Sequence, residues 1–402
     1  IITVEGLAND KLMQTIQKAY VEEGAVQCGF CIPGMVMSGK ALLDKNLNPT
    51  EEDIKEALQG NICRCTGYKK IIEAIQMVAA ILRGEVEIDN TLDAGDVYGV
   101  GQRAFRVDVR KKVLGYGRYP DDIVMDNMLH ASAVRSKYPR AKVLKIDASK
   151  AEALPGVACV LTAKDVPNNK VGHIFQDWDV MIAEGDITRF VGDAFCLVVA
   201  ESEAILEKAK KLVKIDYEVL EPVRSISEAR AEGAPSLHPK GNLCQQRHVV
   251  RGDAKTALEN SKYTVTRSFT TPFTEHAFLE PECAISFPYK DGIKILSTDQ
   301  GAFDTRKEVS IMFGWDPSRV VVENQLIGGG FGGKEDVSVQ HISALAAWKT
   351  GRPVKAKFSR QESLNFHPKR HAMEGTFTLG CDENGIFTEV SCVFENDKNW
   401  WA

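Results

Sequence analysis

Two tight pairs of cysteines constrain this chain more than any other feature. Cys28 and Cys31 stand in Gln27-Cys28-Gly29-Phe30-Cys31-Ile32-Pro33-Gly34, and Cys63 and Cys65 in Asn61-Ile62-Cys63-Arg64-Cys65-Thr66-Gly67-Tyr68. The segment between them is long enough for two short helices, so both pairs can face one point. Four thiolates around one point bind a soft metal, as a zinc ion or an iron–sulfur cluster. Zinc sites more often repeat C-x2-4-C, so the C-x-C half leans toward a cluster, but spacing alone leaves both open. The other cysteines (Cys159, Cys196, Cys244, Cys283, Cys381, Cys392) are scattered singly. They form no disulfide framework and read as buried hydrophobes.

Helical signals surround the pairs. Asp10 to Glu23 carries Leu12, Ile16, Ala19 and Tyr20 on one face, and Gly24 caps it. Pro33 suits the first turn of a helix through Leu43, which sets Cys28 and Cys31 before a helix N-terminus, where thiolate charge is favoured. Thr50-Glu51-Glu52-Asp53 is a capping box opening a helix to about Leu58. Thr66 to Leu82 reads as a fourth helix, with Ile71, Ile72, Ile75, Val78, Ala79 and Leu82 inward.

The wording of the cysteine loops, QCGFCIPG and NICRCTGY, resembles the second, helical [2Fe–2S] domain of the molybdenum hydroxylases, the xanthine dehydrogenase and aldehyde oxidoreductase family. The resemblance implies a [2Fe–2S] cluster on Cys28, Cys31, Cys63 and Cys65, next to a molybdopterin to which Gln27 donates a hydrogen bond. It also implies a molybdenum-molybdopterin cofactor, in its dinucleotide form, held by the remainder of the chain.

Composition narrows the partners. The chain has 402 residues, enough for two to four domains, and a net charge of -5 with no long basic block, which argues against nucleic acid. Glu207-Lys208-Ala209-Lys210-Lys211 reads as a solvated helix face. No apolar run approaches the ~18 residues of a membrane span and no signal-peptide pattern opens the chain, so a cytoplasmic protein away from membranes is expected. Ile1-Ile2-Thr3-Val4-Glu5-Gly6 lacks Met and resembles the exit from the family's plant-type [2Fe–2S] domain. The end, Asn399-Trp400-Trp401-Ala402, follows a predicted strand pair without a closing element. An internal fragment is expected.

The fold class expected is multidomain α+β. Residues 1–84 form the four-helix [2Fe–2S] domain and 85–107 a linker. Residues 108–222 form a hammerhead-like α/β domain, and 223–402 the first, truncated part of an α+β molybdopterin-binding domain. Gly99-Val100-Gly101-Gln102-Arg103-Ala104 matches G-x-G-x-x-A on paper, but no strand precedes it and no βαβ unit follows. Family members often insert an FAD domain at this linker, which is too short to hold one, so any FAD belongs to a separate subunit. Val157–Leu161, Ala194–Ala200 and Val213–Tyr217 read as strands, with an amphipathic helix from Ser202 to Leu212. The hammerhead resemblance rests on Gly115-Tyr116-Gly117-Arg118-Tyr119-Pro120-Asp121-Asp122 and on Phe190-Val191-Gly192-Asp193.

Three segments carry the molybdenum-site resemblance. Ile327-Gly328-Gly329-Gly330-Phe331-Gly332-Gly333-Lys334-Glu335 removes Cβ atoms where backbone must approach something closely, and its successive N–H groups can converge on an anion or oxo ligand. Gly328 to Lys334 also has P-loop spacing, but Glu335 stands where Ser or Thr would hold Mg²⁺. In the family this loop packs Phe and backbone amides against the molybdenum, which implicates Gly330, Phe331 and Gly332. A Glu at the position of Glu335 hydrogen-bonds the purine of xanthine dehydrogenases. Leu296-Ser297-Thr298-Asp299-Gln300 resembles the family's STQ, whose Gln bonds a molybdenum oxygen ligand; Gln300 matches only if inserted Asp299 bulges. Thr274 to Glu282 resembles HxxxEP and is given a structural role near the cofactor. His367 and His371 have zinc-helix spacing, but Pro368 between them argues against a helix.

The resemblance implies hydroxylation of a purine or similar N-heterocycle, with water supplying oxygen and electrons leaving through the clusters. An aldehyde oxidoreductase of the same family is the alternative, and a non-enzymatic zinc or Fe–S module a remote one. The family's catalytic Glu falls beyond Ala402, so Gln300 and Glu335 are read as substrate-orienting residues and no base is assigned. A homo-oligomer and a separate FAD subunit are the expected protein partners.

Overall fold

The computed structural model describes residues 1–87, 100–101, 106–173 and 175–396. Its first part is helical: α1 (Lys11–Glu22), α2 (Ile32–Leu43), α3 (Glu51–Leu58) and α4 (Lys69–Leu82). Each start follows from local chemistry. Asp10 Oδ1 accepts from Met13 N at 2.8 Å, and Pro33 lies in the first turn of α2, where a missing N–H costs nothing. The Thr50 box forms, with Asp53 N donating to Thr50 Oγ1 at 3.2 Å and Thr50 N to Asp53 Oδ2 at 2.8 Å. Thr50→Ala should therefore cost about 1 kcal/mol, read as a lower midpoint in a denaturant melt followed by helical circular dichroism; an unchanged midpoint would count against the box.

α4 starts three residues later than expected because Thr66 and Tyr68 are engaged in the cysteine turn. Thr66 Oγ1 donates to Cys63 Sγ at 3.1 Å and accepts from Tyr68 N at 3.1 Å, while Tyr68 takes a left-handed φ of 67°. Met13, Ile16, Tyr20, Met35, Ile71 and Ile75 share one core. Leu82, expected inward, is exposed in the final turn, beyond Ala79, the last buried residue of α4. Most of the expected linker, with Gly99 and Ala104, and the terminal Asn399 to Ala402 lie outside the described residues.

Beyond the helices, one mixed seven-stranded sheet draws strands from both blocks that the sequence separates at 222. Its order is Val320–Asn324, Gly292–Ser297, Cys283–Tyr289, Val354–Lys357, Leu129–Arg135, Ala194–Ala200, Val157–Thr162. Leu129–Arg135 runs parallel to Val354–Lys357 and antiparallel to Ala194–Ala200. Every residue of Ala194–Ala200 is buried, as a strand covered on both faces requires. The strand expected from Val213 is Lys214–Val219 and pairs instead with Ala141–Asp147, in a separate two-stranded sheet. The helix Gln340–Thr350 packs Ile342, Ala344 and Leu345 into the sheet's core. A three-stranded sheet, Tyr263–Thr271, Met373–Cys381 and Phe387–Asn396, stands apart.

One pairing positions the site. Gly292–Ser297 and Val320–Asn324 are parallel neighbours, Ser297 opposite Asn324. Their C-terminal ends therefore deliver Gln300 and the glycine loop to the same edge of the sheet, where open α/β sheets commonly bind ligands.

Candidate functional site

The four paired cysteines converge. Cys28 lies within hydrogen-bonding reach of Cys65, and Cys63 of both Cys31 and Cys65. Donation by Cys65 pulls the Cys28 thiol down to about 7. Cys63 is held far below the usual thiol range, first by Cys31 and then by Cys65, whereas Cys31 and Cys65, as the donors, are pushed up. Four sulfurs thus share protons around one point. Such a set fits a four-thiolate [2Fe–2S] cluster, whose irons would replace the shared protons.

The surroundings support that fit. Cys63 is only 8 % exposed, and its N donates to Tyr68 Oη at 2.9 Å. Lys112, buried and paired with Asp108 at 2.7 Å, donates to Gln27 O at 3.2 Å and sets a positive charge beside the thiolates. Its stem lies where a Cβ on Gly29 would fall, 2.5 Å away, and Gly29 itself has φ +90°. Tyr119 Oη donates to Cys28 O at 2.9 Å. The sequence reading did not single out Lys112 or Arg64 and used Tyr119 only as part of a fold resemblance. Gln27 offers its carbonyl to Lys112, while its side chain is exposed.

The glycine loop is built from beneath. Glu280 Oε2 accepts from Gly328 N at 2.6 Å and from Lys334 Nζ at 3.1 Å, and Lys334 Nζ lies 4.6 Å from the centre of the Phe278 ring. Lys334 is thereby buried against Glu280 and turned away from any phosphate, which closes the P-loop reading. Added Cβ atoms would meet Phe30 Cδ2 at 2.9 Å from Gly328, and His276 Nδ1 at 2.8 Å from Gly333. The glycines are needed for packing as much as for ligand approach.

Gln300 completes the loop from above. Asp299 turns inward, accepting from Thr305 Oγ1 at 3.1 Å through its side chain and from Asn324 Nδ2 at 2.9 Å through its carbonyl. Asp299 is thus buried and Gln300 left exposed, while the strand pairs leading into the turn keep their register. Gln300 Oε1 then accepts from Gly332 N at 3.0 Å and Lys334 N at 3.3 Å. The expectation that the loop's amides converge on a ligand is corrected here: those of Gly328, Gly332 and Lys334 are spent on Glu280 and Gln300. Among the described residues, the amides of Gly329, Gly330 and Phe331 take no part in this internal bonding.

Gln300 is exposed with its oxygen occupied, so its NH₂ group is the end offered outward. Phe331 is 47 % exposed in the left-handed region, φ 56°, a conformation that costs a Phe about 1–2 kcal/mol and marks a constrained site. Glu335, four residues on, is exposed as well. The exposed side chains of Gln300, Phe331 and Glu335, over a buried Gly330 whose Cβ would strike Gln300 Oε1 at 2.4 Å, fit an extended polar cofactor laid over the loop.

The two centres touch. Phe30, from the first cysteine loop, packs edge-on to Tyr119 at 5.0 Å and lies against Gly328. Arg64, between Cys63 and Cys65, donates from Nε to His276 O at 3.2 Å. His276 shares a hydrogen bond with His367 at 3.3 Å, a pair 91 positions apart, so the HxxxEP segment supports the loop structurally. His367 follows the helix Arg360–Phe366 in extended backbone, which rules out an i, i+4 zinc pair with His371 on one helix. No helix among the described residues is long and apolar enough to cross a membrane.

Comparison with known proteins agrees with this layout. Residues 3–76 match a [2Fe-2S] binding domain, 114–221 the a/b hammerhead domain of aldehyde oxidase and xanthine dehydrogenase, and 237–401 a molybdopterin cofactor-binding domain. The chain is similar to an aldehyde oxidoreductase of Megalodesulfovibrio gigas, 31 % identical over 405 residues, covering 96 % of this chain and 44 % of that protein. It is 32 % identical over 310 residues to the nicotinate dehydrogenase large molybdopterin subunit of Eubacterium barkeri, covering 76 % of this chain and 72 % of that subunit. A probable hypoxanthine oxidase of Escherichia coli (strain K12) is 29 % identical over 441 residues, covering 98 % and 46 %. The crystal structure of the aldehyde oxidoreductase from Desulfovibrio gigas superposes with a TM-score of 0.91 at 30 % identity, covering 98 % of this chain and 46 % of that one. The chain thus spans a little under half the length of several of these relatives.

Proposed function

The chain belongs to the molybdenum hydroxylase family, and from that premise we propose that it forms part of an enzyme hydroxylating a purine or related N-heterocycle. When bound, the molybdenum cofactor supplies a two-electron oxidation with oxygen drawn from water, and the [2Fe–2S] cluster passes the electrons on. The chain's own residues bind and orient. Gln300 donates its NH₂ toward the reacting centre, its carbonyl locked by Gly332 and Lys334. Phe331 offers a ring against the cofactor. Glu335 accepts an N–H of the heterocycle from the exposed edge of the loop. Gln27 reaches the pterin from the cluster side. Cys28, Cys31, Cys63 and Cys65 carry electrons and make no bonds to substrate. A separate FAD-bearing subunit and assembly into a homo-oligomer complete the proposal.

Glu335 carries the choice of substrate, because a carboxylate on this rim has a use for a ring N–H and none for an aldehyde. The likeness of nearly the whole chain to an aldehyde oxidoreductase supports the second reading. Steady-state kinetics of the full-length enzyme separates them. Glu335→Val should lower kcat/KM for hypoxanthine or xanthine by about 10–100-fold, the value of one charged hydrogen bond, and leave aldehydes nearly unchanged. Turnover of benzaldehyde with none of either purine would overturn the purine reading.

A further inference from the structure

A second group of metal-type ligands lies behind the Gln300 turn and has no part in the reading above. The helix Ala302–Phe313 begins two residues after Gln300 and presents Asp304 and Glu308, at i and i+4, on one face. His173, in the turn after Lys170–Val171, meets that face, its Nδ1 3.9 Å from Asp304 Oδ1 and 3.9 Å from Glu308 Oε1. Asp336, the residue after Glu335, closes the group: ligand atoms of His173, Glu308 and Asp336 all lie within 4.8 Å of one another.

The state of Glu308 points to a ligand. It is 2 % exposed, and its Oε1 has no hydrogen-bond donor; His173 Nδ1, facing it, is buried and equally without a partner. A gap of 3.9 Å is too long for a hydrogen bond. It suits two atoms that each bind one ion at about 2.0–2.2 Å. Burial, with the charges of Asp336 and Asp304, pushes the Glu308 carboxyl up to about 8, and burial with Glu335 pushes Asp336 up to about 7; Lys307 opposes the shift of Glu308 only as the smallest influence. The other mixed cluster, Glu275, His276 and His367, is different in kind. There the ammonium of Lys369 pairs with Glu275 and lies 3.0 Å from His367, so a cation is already built in.

We propose that His173, Asp304, Glu308 and Asp336 form a divalent-cation site separate from both cofactor centres. One imidazole nitrogen with carboxylate oxygens suits Mn²⁺ or Zn²⁺ better than Mg²⁺ or Ca²⁺, which prefer oxygen alone. An ion there ties the helix that follows Gln300 to the residue that follows Glu335. It fixes the relative position of the two rim side chains without touching substrate. The site does not depend on which substrate that rim selects.

Mn²⁺ tests it without competing for thiolates. Full-length enzyme retaining its clusters and treated with chelator is titrated with Mn²⁺, and free ion is followed by its EPR signal. One Mn²⁺ per chain is expected to bind, with affinity lowered at least about tenfold in Glu308→Gln and Asp336→Asn, as for loss of one ligand, while the [2Fe–2S] absorption reports an intact fold. His173→Gln, at a partly exposed position, makes the same test should Glu308→Gln lose its cluster. No bound Mn²⁺ in the parent enzyme, or equal affinity in the parent and the folded variants, overturns the site whatever the enzyme oxidises.

Discussion

Lys334→Met is expected to destabilise the chain by about 3–5 kcal/mol, the usual cost of removing one partner from a buried ion pair. The side chains of Lys334 and Glu280 are 1 % and 3 % exposed and 3.1 Å apart. Burial pushes the Lys334 ammonium down and the Glu280 carboxyl up, each opposed by the partner's charge. Without the lysine, Glu280 keeps one donor, Gly328 N, and its charge is stranded beside Phe278. The loss is felt where the glycine loop meets the cysteine domain, since Gly328, the remaining donor to Glu280, is where Phe30 packs. Lys334→Met with Glu280→Gln should recover much of the stability: the amide oxygen still accepts from Gly328, and no buried charge is left. Urea unfolding of parent, single and double variants measures this. A single variant within about 1 kcal/mol of the parent would show that the pair is not buried in solution.

The same pair shows what could be read in advance. Local signals were legible: the capping box at Thr50, the helix face of Asp10 to Glu23, and the wording of the cysteine and glycine loops all act within a few residues. What escaped are contacts between distant residues. Lys112 reaches Gln27 across 85 positions, Lys334 reaches Glu280 across 54, and His276 meets His367 across 91. Nothing local in a lysine says whether it will be solvated or will staple two loops. Thr66 shows the converse error, where periodicity extended a helix into residues whose hydroxyl and ring bind the cysteine turn. The seven-stranded sheet escaped for the same reason as the ion pair: Leu129 pairs with Val354 from a segment read as another domain. Asp299 lay between. The sequence posed the condition that the loop bulge there; what the fold adds is that Asp299 is buried against Thr305 while Gln300 is exposed.

Cys63→Ser should have the largest effect on function. Cys63 is the most buried of the four thiols and is the one in reach of both Cys31 and Cys65. Serine offers a harder, far more basic oxygen to an iron–sulfur cluster that soft thiolates hold, in a turn whose hydrogen bonds from Thr66 and to Tyr68 fix this one position. Near-complete loss of the [2Fe–2S] EPR signal assigned to this domain is expected, together with loss of turnover to any acceptor fed through it. Substrate binding, which the proposed function puts at Gln300 and Glu335, should persist, because the glycine loop is held from beneath by Glu280 and not by the thiols. Cys244→Ser is the control and should change neither, since Cys244, like Cys392, is exposed and not the buried hydrophobe expected of it. Retention of the full EPR signal in Cys63→Ser would mean that these thiols do not form one cluster. Thr66→Val separates the metal from its setting: it removes the hydrogen bond to Cys63 Sγ but leaves all four ligands, so the cluster should remain with a lower reduction potential. If instead Thr66→Val loses the cluster as fully as Cys63→Ser, the turn is held by that hydroxyl more than by the metal.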